Sequence, residues 1–241
     1  MSEPRLSASV LLIRDEPFEV LMMERHAAAV FGSALVFPGG CVEAEDGADL
    51  WGDLIDDPED LPEDEQILRI AACRELFEET GLLLLDRPFL PDPDIGAGAD
   101  FHSLVARSGG RLALGGLYPF GHWITPLDLP KRFDTHFYLA KAPAGQVPRC
   151  DGHEAVRLAW LQPAAVMAQA DAGQCKLLLP TRMNLLRLDE HETCDRALAA
   201  SHLYPRVPVL PQPERTERGR CIRIAAEAGY ALTEVWLNEQ A

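Results

Sequence analysis

Residues 74–82 read Arg-Glu-Leu-Phe-Glu-Glu-Thr-Gly-Leu. On a helix, at about 100° per residue, Glu75, Glu78 and Glu79 fall within an arc of roughly 100°. Three carboxylates so crowded repel one another unless positive charge sits among them. A divalent cation is the simplest source of that charge, and its chemistry would make this edge of the helix catalytic. Alone, such a cluster would read as the solvated face of an amphipathic helix. The flanking Arg74 and Gly81, and Pro38-Gly39-Gly40 upstream, favour the metal-binding reading.

These residues need a helix to carry them and a loop to face them. The spacing predicts a long helix over 64–80, with Ile70, Cys73 and Phe77 as an apolar stripe roughly opposite the carboxylates. Gly81 suits its C-cap, and residues 82–85 read as a buried strand. Residues 35–37 predict a short strand running into Pro38-Gly39-Gly40, a turn that glycine makes sterically easy. Residues 6–13 and 18–24, separated by Arg14-Asp15-Glu16-Pro17, read as a hairpin. Between loop and helix, residues 43–65 hold twelve Asp or Glu, two Pro and no Lys or Arg, which predicts an exposed loop with at most a short helix.

Farther along, a short helix is expected over 100–107 and strands over 123–125, 133–140 and 157–161. Helices are expected over 163–170, where Pro163 suits a helix start, and over 177–188. From Tyr204 on, four prolines precede residue 214 and predict an extended segment crossing the body. Strands and helices alternate without the regular spacing of a parallel barrel. The expected class is α/β, an α/β/α sandwich around a mixed β-sheet, with additional C-terminal helices. There is no internal repeat.

The chain has 241 residues, 47% hydrophobic and 25% charged, enough for a substantial core. Its formal net charge of −16 gives no electrostatic attraction to nucleic acid or to an anionic membrane. An anionic substrate would need metal ions or a local basic pocket. Six cysteines stand without a CxxC pair, so reduced thiols in a cytoplasmic protein are expected rather than disulfides or a zinc site. No stretch approaches the length of a membrane span, Met-Ser-Glu-Pro-Arg lacks a basic region followed by a long apolar run, and Asn-Glu-Gln-Ala is not a peroxisomal or prenylation signal, so a soluble cytoplasmic protein is expected.

The run from Gly39-Gly40 to Arg74-Glu75-Leu76-Phe77-Glu78-Glu79-Thr80-Gly81-Leu82 resembles the signature of the Nudix hydrolases. The family pattern is Gly, five residues, Glu, seven residues, then Arg-Glu-aliphatic-x-Glu-Glu-x-Gly-aliphatic. Its second half is matched at every defined position. In the first half, counting from Gly40 places Asp46 where the pattern has Glu, and 27 residues intervene before Arg74. Counting back from Arg74 gives Gln66, with Glu65 beside it. The acidic partner of Arg74 is therefore open between Asp46, Glu65 and neither. Phe37-Pro38-Gly39-Gly40, Trp123-Ile124-Thr125-Pro126, Arg132-Phe133-Asp134-Thr135-His136-Phe137-Tyr138 and Trp160-Leu161-Gln162-Pro163 are similar to a branch that includes peroxisomal coenzyme A diphosphatases. The resemblance covers roughly residues 6–190.

The resemblance implies a Nudix-type fold in a single domain over 1–241, with an acidic insertion at about 43–65 and a C-terminal extension from about 190. It implies Mg²⁺ or Mn²⁺ held by Glu75, Glu78 and Glu79, with Arg74 orienting a glutamate by an ion pair. Gly39 and Gly40 would shape the loop against metal or phosphate. Glu154, in Asp151-Gly152-His153-Glu154, corresponds to a loop glutamate that in many relatives binds metal or acts as general base; His153 is a weaker candidate for that role. Arg25 and Arg132 are candidates for phosphate contact, Arg132 equally for a structural ion pair with Asp134. Trp123, Phe133 and Tyr138 are read as core. Homodimers are common among the relatives.

The expected reaction is water attack on the pyrophosphate of a nucleoside diphosphate linked to another group. Coenzyme A or acyl-coenzyme A is the preferred substrate, coenzyme A yielding phosphopantetheine and 3′,5′-ADP. The alternatives are ADP-ribose, NADH or another ADP conjugate, or a regulatory module that binds a nucleotide without cutting it. A calcium-buffering protein is disfavoured, because residues 43–65 lack the spacing and turn glycine of an EF-hand loop.

Overall fold

The computed structural model describes residues 3–26, 33–47, 49–56, 60–89, 100–150, 152 and 155–236. The expected hairpin forms from β1 (Arg5–Arg14) and β2 (Glu19–Arg25), paired antiparallel. Short β3 (Ala34–Val36) pairs with β2, and β4 (Gly39–Cys41) folds back antiparallel onto β1. The helix over the signature is α1 (Glu63–Thr80). Its first turn carries Glu63, Asp64 and Glu65, where the helix dipole favours negative charge. It ends at Gly81, whose φ of 70° is left-handed and whose N–H donates to the Phe77 carbonyl.

Strands β5 (Ile55–Asp56) and β6 (Leu112–Ala113) pair parallel beside helix α2 (Phe101–Ser108). Then come β7 (Tyr118–Ile124), β8 (Phe133–Lys141) and β9 (Ala155–Leu161). Helix α3 (Pro163–Asp171), short β10 (Lys176–Leu177), helix α4 (Leu179–Leu188) and helix α5 (Cys194–Ser201) follow. The main sheet runs β10-β3-β2-β1-β8-β7, with β4 on β1 and β9 on β2. It is mixed, because β1 and β8 are parallel while their outer neighbours are antiparallel.

Strand alternation divides the core. Ala8, Val10, Leu12, Tyr138 and Ala140 face α1, packing with Leu68, Ala72 and Leu76. Leu11, Ile13, Phe137 and Leu139 face the other way, against Val166 of α3, Leu185 of α4 and Ala197 of α5. Helices on both faces of a mixed sheet are the α/β/α arrangement expected. Among the described residues no helix is long and apolar enough to cross a membrane.

Three expectations need correction. Residues 43–65 are not simply an exposed loop: two 3₁₀ turns (Ala44–Gly47 and Asp49–Leu54) bury Asp46 and Trp51. The Trp51 ring lies 5.6 Å from that of Phe101 of α2, tilted by 45°, and Phe101 lies 5.9 Å from Phe77. This cap covers the flank of α1 opposite the sheet, so α1 is buried on more than one side. Residues 82–84 are buried but form no strand; Leu85 makes a single bridge to Leu112. The Gln146 side chain replaces a strand neighbour, accepting from Leu83 N–H (2.8 Å) and donating to its carbonyl (2.9 Å). Finally, the tail is more than an extended segment. Val209 exchanges hydrogen bonds with the edge of β7, as an extended segment does. Beyond it, β11 (Gln212–Thr216), β12 (Gly219–Arg223) and β13 (Glu234–Trp236) form a separate antiparallel sheet.

Candidate active site

Arg74 organises the carboxylates of α1. Its guanidinium has five N–H donors in a fixed fork. Nε and Nη2 donate to the two oxygens of Asp46 at 2.8 and 2.9 Å. Nη2 also donates to the Cys41 carbonyl (2.9 Å), and Nη1 to Glu75 (2.9 Å) and Glu78 (3.1 Å). Each donor has an acceptor, so in this geometry Arg74 has no N–H left for a substrate phosphate. Burial opposes its charge, but the hydrogen bonds and charges of Asp46 and Glu75 prevail and raise its pKa.

The acidic partner left open in sequence is thus Asp46, almost fully buried. One Asp46 oxygen also accepts from Glu43 N–H at 2.8 Å, which closes the 3₁₀ turn that presents it. Glu65 lies near the other end of α1 and binds Arg69 at 2.8 Å. The long insertion therefore lies between Asp46 and the helix without displacing Asp46 from Arg74.

The glycine loop is shaped by contact with α1. Gly39 N–H donates to Glu79 at 2.7 Å. At Gly39 φ is +152°, and a Cβ there would lie 2.4 Å from the Ala8 carbonyl oxygen. At Gly40 a Cβ would lie 2.4 Å from the Glu75 carboxyl carbon. Glycine at both positions lets β4 lie between β1 and the carboxylates. Glu79 is buried, Glu75 nearly so, and Glu78 is half-exposed. Burial raises the Glu78 pKa, against the lowering effect of Arg74.

Asp46, Arg74, Glu75 and Glu78 together carry three negative charges and one positive, with Glu79 one turn along. Such hard oxygen donors fit Mg²⁺ or Mn²⁺, which favour carboxylates, water and phosphate.

Glu75, Gly39 and Gly40 line a cavity of about 570 Å³. Arg5 and Arg25 also line it, whereas Arg132 is not among its lining residues: Arg132 Nε donates to the Thr125 carbonyl at 3.2 Å. Asp134, the suggested partner of Arg132, binds His122 at 2.5 Å. Glu154 and His153 lie outside the described residues. Tyr138 is core, and burial raises its pKa. Trp123 and Phe133, read as core, also contribute to the cavity wall with Phe37, Phe137 and Leu178. Trp123 is fixed from the C-terminal region: its Nε1 donates to Tyr230, which donates to Asn184, both at 2.8 Å.

Ser7, Ser9 and Thr135 in the cavity wall escaped sequence reasoning. Two serines alternating along an apolar strand were the available signal, because such hydroxyls need partners. Ser7 and Thr135 bond each other at 2.8 Å, and Ser9 donates to the Pro38 carbonyl at 2.8 Å.

The family model for the NUDIX domain matches residues 3–178, more than half of the chain. The chain belongs to the Nudix family. It is 30% identical over 220 residues to putative nudix hydrolase 7 of Caenorhabditis elegans, covering 88% of this chain and 69% of that protein. It is 27% identical to the acyl-coenzyme A diphosphatase NUDT19 of Gallus gallus, over 80% of this chain and 72% of the relative. The crystal structure of a NUDIX hydrolase from Alicyclobacillus acidocaldarius superposes with a TM-score of 0.71 at 28% identity, covering 83% of this chain and 97% of that one. This Nudix chain is a hydrolase acting on pyrophosphate bonds.

Proposed function

We propose that this Nudix hydrolase cleaves the pyrophosphate of coenzyme A or an acyl-coenzyme A. The observation that carries the reading is a single cavity whose lining is part polar and part apolar. Its lining combines Glu75 and the glycine loop with an apolar set, Phe37, Phe133, Phe137 and Leu178. A pyrophosphate needs the first, and a long thioester arm or a purine is accommodated by the second. The likeness to an acyl-coenzyme A diphosphatase supports the same substrate class.

In this reading Glu75, Glu78 and Glu79 hold Mg²⁺ or Mn²⁺, which would polarise a phosphoryl oxygen and acidify a coordinated water. Arg74 keeps Glu75 and Glu78 in place and takes no part in binding substrate. Arg25 and Arg5 supply local positive charge that offsets repulsion between a chain of net charge −16 and an anionic substrate. Water adds to one phosphorus, the anhydride P–O bond breaks, and coenzyme A gives phosphopantetheine and 3′,5′-ADP. Residues 43–65 and those beyond about 190 are an insertion and an extension of one catalytic domain.

The test is product formation from coenzyme A, an acyl-coenzyme A, ADP-ribose, NADH and diadenosine polyphosphates, with Mg²⁺ or Mn²⁺ and after chelation. The expected result is the highest kcat/KM on coenzyme A or its thioester, abolished by chelator. Glu79→Gln should cost about 100-fold or more, beyond the 10–100-fold typical of groups acting through a ligand. Preferred turnover of ADP-ribose or NADH would overturn the substrate assignment. Tight binding without turnover would point to a regulatory module, and full activity in Glu79→Gln would sink the metal assignment.

A further inference from the structure

A second cluster of ligating groups lies on the sheet face that packs against α1, away from the signature carboxylates. His122 on β7 and His136 on β8 are directly opposed in the antiparallel register, and Asp134 stands two residues before His136 on the same face. An i, i+2 pair on one strand plus a cross-strand neighbour makes three side chains converge from a rigid ladder. Their ligand atoms all lie within 4.8 Å of one another. His122 Nε2 lies 2.5 Å from Asp134 Oδ1, and His136 Nε2 lies 3.9 Å from the same oxygen.

We propose that His122, Asp134 and His136 form a second metal site, selective for Zn²⁺ or a similar borderline divalent cation. Two imidazoles and a carboxylate suit that class, whereas an all-carboxylate site suits Mg²⁺ or Mn²⁺. With bonds of 2.0–2.2 Å, tetrahedral ligand atoms stand about 3.3 Å apart. The His122–Asp134 separation must open by about 0.8 Å and the His136–Asp134 separation close by about 0.6 Å, both from ring rotation. The two rings now stack at 3.9 Å with 28° between their planes, so binding must splay them. His122 bonds Asp134 through Nε2, and a tautomer change to Nδ1–H leaves Nε2 available as a ligand.

The surroundings allow the rest of a coordination sphere. A cavity of about 140 Å³ lies over the two histidines and gives room for water in the open positions. Its charged walls are Glu65, on the helix packed against this face, and Arg206, on the segment following α5. Glu65 is ten residues from Glu75 along α1, a rise of about 15 Å. The two metal sites are therefore separate, and this one does not rest on the proposed pyrophosphatase chemistry.

The experiment is a Zn²⁺ titration of the chelator-stripped full chain by calorimetry, in millimolar Mg²⁺ to occupy the carboxylates. It is repeated with ¹⁵N-histidine NMR. The expected result is one equivalent of Zn²⁺, with ring nitrogen shifts at His122 and His136 but not at His191 or His202. His136→Ala and His122→Ala should each weaken binding at least tenfold. The NMR arm uses the unaltered protein, so misfolding of a variant cannot decide the outcome. Absence of Zn²⁺ binding, binding unchanged in both variants, or shifts confined to other histidines would overturn the proposal.

Discussion

Arg74 and Asp46 meet through two parallel hydrogen bonds of 2.8 and 2.9 Å, with both side chains buried. This pair clamps the segment after β4 to helix α1. The remaining donors of the guanidinium hold Glu75, Glu78 and the Cys41 carbonyl. One side chain thereby ties the glycine loop, the segment holding Asp46 and the carboxylate face of α1 into one unit. A planar, bidentate group can do this and an ammonium cannot.

Asp46→Asn should therefore affect both stability and turnover. It removes the fully buried partner of Arg74 but leaves Glu75 and Glu78 paired with it, so the loss should fall below the roughly 3–5 kcal/mol of a buried charge left with no partner. Loosening Glu75 and Glu78 should lower kcat or apparent Mg²⁺ affinity by about 10–100-fold. Asp46→Glu restores the carboxylate that the family pattern has at this position and should recover most activity. Urea denaturation and Mg²⁺-dependent kinetics of both variants are the measurements. Wild-type kinetics in Asp46→Asn would contradict the positioning role.

The two glycines should fail in different ways. In Gly39→Ala the new methyl meets backbone, 2.4 Å from the Ala8 oxygen, at a φ of +152°. Fold stability should drop by about 3 kcal/mol or more, because neither backbone nor φ yields cheaply. In Gly40→Ala the methyl meets the end of the Glu75 side chain at 2.4 Å. That carboxylate can swing aside, so stability should fall by about 1–2 kcal/mol while activity falls about 10–100-fold. Thermal melts and steady-state rates separate the two, and equal losses of both properties in the two variants would refute the distinction.

Helix α1, its glycine cap and the hairpin were legible because local patterns specify them. The apolar periodicity and Gly81 marked α1, and two aliphatic runs around Arg14-Asp15-Glu16-Pro17 marked β1 and β2. What was not legible depends on long-range partners. Nothing local says that Trp51, in an acidic run, would find Phe101, or that Gln146 would substitute for a strand beside Leu83. At the site, Glu75, Glu78 and Glu79 were visible as a charge anomaly. Choosing Asp46 over Glu65 required the register of a folded insertion. His122, Asp134 and His136 lie on strands whose pairing no local pattern specified, so their convergence was hidden.

Arg187 should prove a stability residue without a catalytic role. It donates to the Phe120 carbonyl (2.6 Å) and the Ala228 carbonyl (2.8 Å), which ties α4 to β7 and to the C-terminal region. Its guanidinium lies 3.6 Å from the Tyr230 ring and 4.4 Å from the Tyr204 ring. Burial lowers its pKa, while the two tyrosines oppose that shift. Arg187→Leu leaves two carbonyls unsatisfied and removes the cation–π contacts, a loss of about 2–4 kcal/mol. Arg187→Lys should recover little of this, since an ammonium cannot reproduce the planar fork. Chemical denaturation should report the loss, with kcat per folded molecule unchanged; a large fall in kcat at full stability would contradict it.

Cys194 should make stability fall at alkaline pH. Burial, then the neighbouring Asp15 carboxylate, pushes its thiol up from 9.0 to about 12. Asp15 is held there by accepting the Cys194 backbone N–H at 2.8 Å. The folded state therefore keeps this proton over a range in which the unfolded chain has released it. A raised folded pKa gives a contribution that is complete below pH 9 and lost as pH rises toward 12. Urea midpoints from pH 8 to 11 should fall more steeply for the wild type than for Cys194→Ala, which has no thiol to ionise. At pH 8 the same thiol should resist a disulfide reagent until the chain unfolds, while exposed Cys150 reacts at once. Parallel pH profiles for the two proteins, together with rapid modification of Cys194 in the native state, would show that the thiol is not held protonated by the fold.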